Sequence, residues 1–199
     1  MIDVDTLSTL SPRDYRAGFA EVVKYGVIRD QIFFHDLVIN ANKLCEHDPA
    51  ALVATIKRSC QIKADIVERD EREDGLRAIL NYGHTFGHAI ENLAGYGEYR
   101  HGEAVAIGMV VAAKISATLG LCTLQDVEAV QQLLLDFELP VIAPEYSADK
   151  LLETIGRDKK VHTGLLRMIL NRGIGDFEIR TVTDPGALFV DLTSPVTGE

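Results

Sequence analysis

The stretch "AVAIGMVVAA", Ala104–Ala113, constrains the fold more than any other part of the chain. A bilayer span needs about 20 such residues. This run is about half that length and ends at Lys114. It therefore reads as a helix that is hydrophobic all round, and such a helix has to be wrapped by other elements. Its residues are mostly small, so those neighbours can approach closely. The stretch is expected to be a buried helix.

The rest of the sequence supplies the wrapping, mainly as helices. Residues 1–12 read as extended. Ser11 and Pro12 then form a cap with proline at the first helical position, which opens a helix through "RDYRAGFAEVVKYGVI". A second helix covers "QIFFHDLVINANKL". Asp48 and Pro49 open a long third one, "AALVATIKRSCQIKADIVERD". "EREDGLR" is charged, contains Gly75 and reads as a loop. A helix carrying His84 and His88 follows, then a turn at Gly95 and Gly97, and the small-residue helix from about Gly102 to Leu119. "LQDVEAVQQLLLDF" is amphipathic, and "SADKLLETIG" is a short helix. "LLRMILN" and "DFEIRTV" read as a β-hairpin around "RGIGD", and "DPGALFVDL" as a closing helix. The expected fold is mainly α: a single multi-helix domain over residues 1–199 with one late β-hairpin.

Charge narrows the function classes. Thirty acidic side chains against 20 basic ones give a net charge of −10, which excludes a broad basic footprint for nucleic acid. An anionic substrate would need a local basic pocket. Cys45, Cys60 and Cys122 are widely spaced and form no CxxC pair, so a reducing cytoplasm is expected rather than a disulfide framework. "MIDVDTLSTL" has neither the basic start nor the apolar run of a secretory signal. No membrane partner is expected.

Three of the six histidines fall between Leu80 and Ala104. At about 100° per residue, one helix puts Arg77, Asn81, His84 and His88 within about 60° of each other, with Glu91 close by. Ile79, Phe86, Ala89, Ile90 and Leu93 gather on the opposite side. HxxxH lacks the glutamate of HExxH and is, taken alone, more often structural. Two further residues add weight. His101 follows a glycine-rich turn and precedes the small-residue helix, which predicts a buried helix start near the pair. Glu21 lies among Phe19, Ala20, Val22 and Val23, a setting that asks for a partner. Two imidazoles and a carboxylate are a common catalytic zinc set, with a position left open, although spacing alone does not bring Glu21 to the histidines. Lys24 also reads as an i, i+3 partner of Glu21, Lys63 and Arg77 as solvated groups, and Lys160 as part of a charged turn. "GIG" at Gly173–Gly175 is not a dinucleotide fingerprint, because no third glycine follows.

The segments "GFAEVVKYG", "KADIVERDEREDGLRAILNYGHTFGHAIE", "HGEAVAIGM" and "RDKK" closely resemble, in order and spacing, the C-terminal domain of 3-dehydroquinate synthase. The resemblance covers nearly the whole chain. It implies an all-α domain resting against an N-terminal NAD-binding domain, with the active site between them. It implies a metal, zinc or cobalt, on Glu21, His84 and His101, and proton transfer by His88 with Glu73 near the relay. It implies that Lys24, Lys63, Arg77, Asn81 and Lys160 hold the substrate's phosphate, carboxylate and hydroxyls. Thr6, Leu7, Ser8 and Thr9 match the crossover segment, residues 1–12, that contributes to NAD binding. Members are usually homodimers, through a contact that can depend on the other domain.

The activity so implied belongs to the shikimate pathway of aromatic amino-acid biosynthesis. It is the conversion of 3-deoxy-D-arabino-heptulosonate 7-phosphate to 3-dehydroquinate and phosphate. Lysine and arginine suit the substrate's phosphate and planar carboxylate, which answers the need for a local basic pocket. No βαβ pattern precedes "IDVDTLSTL". The chain is therefore expected to be a fragment or to work with a partner chain, to fold on its own apolar content, and to turn over poorly by itself. Two alternatives stand beside this reading. One is another sugar-phosphate cyclase, against which Arg77 and Asn81 argue because they suit a carboxylated substrate. The other is a helical metal-binding module without catalysis, against which the intact set Glu21, His84, His88 and His101 argues.

Overall fold

The structure, a computed structural model, describes residues 3–70, 75–95, 97–157 and 166–182. Among them are seven α-helices, two 3-10 helices and a two-stranded sheet. The helices are α1 (Pro12–Arg29), α2 (Gln31–Cys45), α3 (Pro49–Arg69), α4 (His84–Ala94), α5 (His101–Thr118), α6 (Leu124–Asp136) and α7 (Ala148–Arg157). The strands β1 (Leu166–Asn171) and β2 (Phe177–Val182) pair antiparallel, Leu166 opposite Val182 and Asn171 opposite Phe177. The mainly α architecture with a late hairpin is the one expected. The proposed closing helix after Asp184 lies outside the described residues.

The apolar run forms the centre. Ala104, Val105, Ala106, Ile107, Met109, Ala113 and Ile115 of α5 are fully buried. Helices α1, α4 and α6 and strand β1 pack around it. The helix starts follow local chemistry. The Ser11 hydroxyl accepts from the Asp14 amide with Pro12 behind it, and Asp48 accepts from the Ala51 amide ahead of Pro49. Asp30 ends α1 and caps α2 through the Phe33 amide. The hairpin is fastened to the bundle by buried Asn171, whose amide donates to Ser116 Oγ on α5.

Three expectations need correction. The segment before α1 is not extended: Val4–Thr9 is a 3-10 helix. Asp3 caps it, and the hydroxyls of Thr6, Ser8 and Thr9 each donate to a carbonyl three residues back. Short hydroxyl side chains offer the backbone this local alternative. Second, Arg77, Asn81, His84 and His88 do not share one helix. Leu76–Asn81 is a separate 3-10 helix, and α4 begins only at His84, after Gly83 in the left-handed region (φ 79°). A Cβ on Gly83 would meet Met109 Cγ at 2.6 Å, so the break is set by packing on α5. Third, His101 starts α5 as expected but is exposed, not buried.

Candidate metal centre

Three helices bring the ligand candidates together, and glycines let them. A Cβ on Gly102 would lie 1.9 Å from the Ala17 carbonyl, so the first turn of α5 rests on α1 one turn before Glu21. A Cβ on Gly108 would lie 2.0 Å from the Gly83 carbonyl, which places α5 against the start of α4. Arg13 on α1 adds a two-pronged ion pair to Glu103 on α5, with both N–O distances 2.6 Å. Thus α1 carries Glu21, α4 carries His84 and α5 carries His101 to one place.

The Glu21–His84 pair is poised for a cation. His84 Nδ1 lies 3.1 Å from the Tyr82 carbonyl. A carbonyl only accepts, so Nδ1 bears the proton and Nε2 bears the lone pair. That lone pair faces Glu21 Oε1 at 3.4 Å. Glu21 Oε1 is buried and accepts no hydrogen bond. Burial first, then the neighbouring Lys24 charge, holds the His84 ring down to about 4, and the imidazole is neutral near pH 7. Two facing lone pairs repel each other unless a positive centre lies between them. Zinc bonded at about 2.1 Å in a tetrahedron spaces its ligand atoms by about 3.4 Å, which matches the observed gap.

The second Glu21 oxygen is held from inside. Lys24, 2% exposed, donates to Glu21 Oε2 and to the Leu80 carbonyl, each at 2.6 Å. Burial lowers the Lys24 ammonium's pKa although Glu21 pulls the other way, and Lys63 lowers it further. The imidazoles complete the cluster. Ring centroids are 5.2 Å apart for His84 and His101, 5.6 Å for His84 and His88, and 5.8 Å for His88 and His101. One ligating atom from each of Glu21, His84 and His101 lies within 4.8 Å of the others, and the same holds for His88, Glu91 and His101. The donor set, one carboxylate and two imidazoles, fits a borderline divalent ion such as zinc or cobalt. An open cavity of about 590 Å³ adjoins it, lined by Glu91, Asn92, Tyr99, Arg100 and His101 among others.

The other candidates are distributed unevenly. Lys63 is exposed on α3, on the side where its charge reaches Lys24. Arg77 and Asn81 lie half-buried in the 3-10 helix, anchored where the Arg77 amide donates to Asp70. Leu7 and Ser8 line cavities around Tyr15, not the histidine cluster. The donor hydrogens of Thr6, Ser8 and Thr9 are spent on carbonyls three residues back, so these hydroxyls have only acceptor capacity left. Glu73 and Lys160 lie outside the described residues. Sequence reasoning missed the Tyr82 and Leu80 carbonyls, because backbone acceptors leave no signature. It also missed the role of Gly102, for which the glycine directly after His101 was the available signal.

The family model for the 3-dehydroquinate synthase C-terminal region matches residues 18–161. This chain belongs to the 3-dehydroquinate synthase family. It is 55% identical over 190 residues to the 3-dehydroquinate synthase of Syntrophotalea carbinolica, covering 96% of this chain and 52% of that protein. It is 50% identical to the 3-dehydroquinate synthase of Geotalea uraniireducens, covering 94% and 52%. The chain thus spans about half the length of these relatives. Among solved structures it resembles the 2-epi-5-epi-valiolone synthase of Streptomyces hygroscopicus subsp. jinggangensis, determined with NAD+ and Zn2+. That match has a TM-score of 0.85 at 30% identity over 96% of this chain and 54% of the other. A 2-deoxy-scyllo-inosose synthase determined with carbaglucose-6-phosphate, NAD+ and Co2+ aligns with a TM-score of 0.77 at 29% identity, over 94% and 54%. Both relatives bind a divalent metal and NAD+. No described helix is long and apolar enough to cross a membrane.

Proposed function

We propose that this chain is the metal- and substrate-binding half of a cytoplasmic 3-dehydroquinate synthase, a lyase of the shikimate pathway. It would convert 3-deoxy-D-arabino-heptulosonate 7-phosphate to 3-dehydroquinate and phosphate together with an NAD-binding half. The observation that carries the reading is the buried, unpartnered Glu21 Oε1 facing the lone pair of His84 at 3.4 Å, with His101 beside them. Identities of 50–55% to named 3-dehydroquinate synthases, against 29–30% to cyclases with other products, support this substrate over theirs.

In this reading Glu21, His84 and His101 hold zinc or cobalt. When bound, the ion acidifies a coordinated hydroxyl and polarises a carbonyl, while NAD supplies the transient oxidation. The chain's own residues do the rest. Lys24 fixes the Glu21 carboxylate and keeps one N–H for a substrate oxygen. His88, on the same helix face as His84, moves a proton to and from the substrate hydroxyl, and Glu73 serves the same relay. Arg77 and Asn81 take the carboxylate and hydroxyls, and Lys63 and Lys160 the phosphate. Thr6–Thr9 meet NAD at its edge, and the partner half carries the remainder of that site. A homodimer is part of the same proposal.

The test is metal content by elemental analysis, then phosphate release from protein that carries both halves. Wild type should hold about one ion per chain and His84→Ala none. His88→Ala should keep the ion and lose turnover. If His88→Ala turns over normally, the domain is a metal-binding module and the catalytic reading falls.

A further inference from the structure

We infer that Glu91 is the positioning residue for His101: it accepts the Nδ1 hydrogen of that ring and so leaves Nε2 for the cation. The inference rests on the metal reading above and extends it to a side chain with no assigned role.

The two histidine ligands face different problems. His84 is buried, and its ring is held through Nδ1 at the Tyr82 carbonyl. The His101 side chain is 49% exposed at the first position of α5. An imidazole that open samples several rotamers, and fixing it costs conformational entropy each time an ion binds. Its described side-chain contacts are Glu91 and the two neighbouring rings. Glu91 Oε2 lies 3.3 Å from His101 Nδ1.

The parallel with His84 supports the role. There, too, Nδ1 faces an oxygen acceptor, the Tyr82 carbonyl at 3.1 Å. In both rings Nδ1 is engaged by oxygen and Nε2 remains. Carboxylate or carbonyl partners of this kind set the tautomer and orientation of metal-bound histidines and raise their basicity. The source of the carboxylate matters as well. Glu91 stands two turns beyond His84 on α4, with His88 between them on the same face. One helix therefore carries a ligand and the group that aims another. Burial of Gly102 against Ala17 sets where the α5 backbone starts, but it does not orient the ring ahead of it.

His88, Glu91 and His101 also lie close enough to hold a separate ion. In that arrangement Glu91 would be a direct ligand instead of the acceptor that aims His101. An experiment separates the two uses of Glu91.

The experiment titrates the chain with Co2+ against a chromophoric chelator, reading affinity, stoichiometry and the visible absorption of bound cobalt. Wild type, Glu91→Ala, Glu91→Asp and His84→Ala are compared, with apo melting by circular dichroism. The expected result is one Co2+ per wild-type chain. Glu91→Ala should weaken affinity about 10- to 100-fold, keep the stoichiometry and the band shape, and leave apo melting within a degree or two. Glu91→Asp should recover part of the affinity. Glu91→Ala within twofold of wild type overturns the positioning role while the metal site stands. Two ions in wild type and one in Glu91→Ala makes Glu91 a ligand and overturns it as well. Wild type that binds no Co2+, or binds it unchanged in His84→Ala, removes the metal reading and this inference together.

Discussion

Lys24 and Glu21 are joined from inside the fold: the ammonium is 2% exposed, whereas 40% of the carboxylate side chain meets solvent. The lysine thus approaches the candidate centre from the protein interior and fixes one carboxylate oxygen, leaving the other for an ion. Removing it strands the Leu80 carbonyl and part of a charged carboxylate. Lys24→Met is expected to cost about 2 kcal/mol in urea unfolding, below the figure for a fully buried pair because Glu21 keeps some water. A loss under about 0.5 kcal/mol would show that Lys24 is not a structural latch.

Glycine substitutions distinguish close packing from mere helix propensity. Gly102→Ala drives a Cβ to 1.9 Å from the Ala17 carbonyl, a backbone atom that cannot step aside. It should cost about 1–3 kcal/mol and weaken metal binding, because α5 carries His101 away from Glu21. Gly18 lies in α1 with nothing within 4 Å of an added Cβ. Gly18→Ala should instead raise stability by about 0.5–1 kcal/mol. Both are read in one set of thermal and urea melts, and equal signs would refute the packing argument.

Acid sensitivity should appear at Asp30, where α1 meets α2. Burial pushes its carboxyl up, but the Phe33 amide and the Arg58 guanidinium outweigh burial and hold it below the usual range. An unfolded aspartate titrates near about 3.9, so the stabilisation is complete above that pH. It is lost as pH falls through the lower folded value. Melting temperatures of wild type and Asp30→Asn should differ at pH 6 and converge toward pH 2.5. A gap that stays constant over that range would show that the carboxylate is not depressed.

Local and periodic features of this fold were legible in the sequence. Ser11–Pro12 and Asp48–Pro49 mark helix starts through short-range capping, and the all-apolar run of α5 reveals its own burial. The hairpin was visible from turn residues between two apolar runs. What depended on distant packing was not legible. The Tyr82–Gly83 break splits an otherwise continuous helical pattern because Met109 leaves no room for a side chain at Gly83. Arg77 and Asn81 therefore left the histidine stripe on which a single helix had placed them. His101 was expected to be buried because its neighbours are small, yet those small residues bury the backbone behind it and leave the ring outside. Convergence of Glu21 with the histidines came from family resemblance, since α1 and α5 are joined through Gly102, some 80 residues from Ala17 in the chain.

The same break supplies the last prediction. Tyr82 is fully buried, and its hydroxyl lies 3.0 Å from Asn171 Oδ1 and 3.2 Å from the Met109 carbonyl. It ties the start of α4 to the hairpin and to α5. Tyr82→Phe keeps the ring's volume and removes only the donor, leaving a buried amide oxygen unsatisfied. The expected cost is about 1–3 kcal/mol, with metal affinity unchanged, because His84 uses the Tyr82 carbonyl and not its hydroxyl. Urea unfolding and Co2+ titration of the same variant test both halves. A variant as stable as wild type would mean that Asn171 finds another partner, and one that loses metal would mean that the hydroxyl, through the backbone, sets the His84 ring.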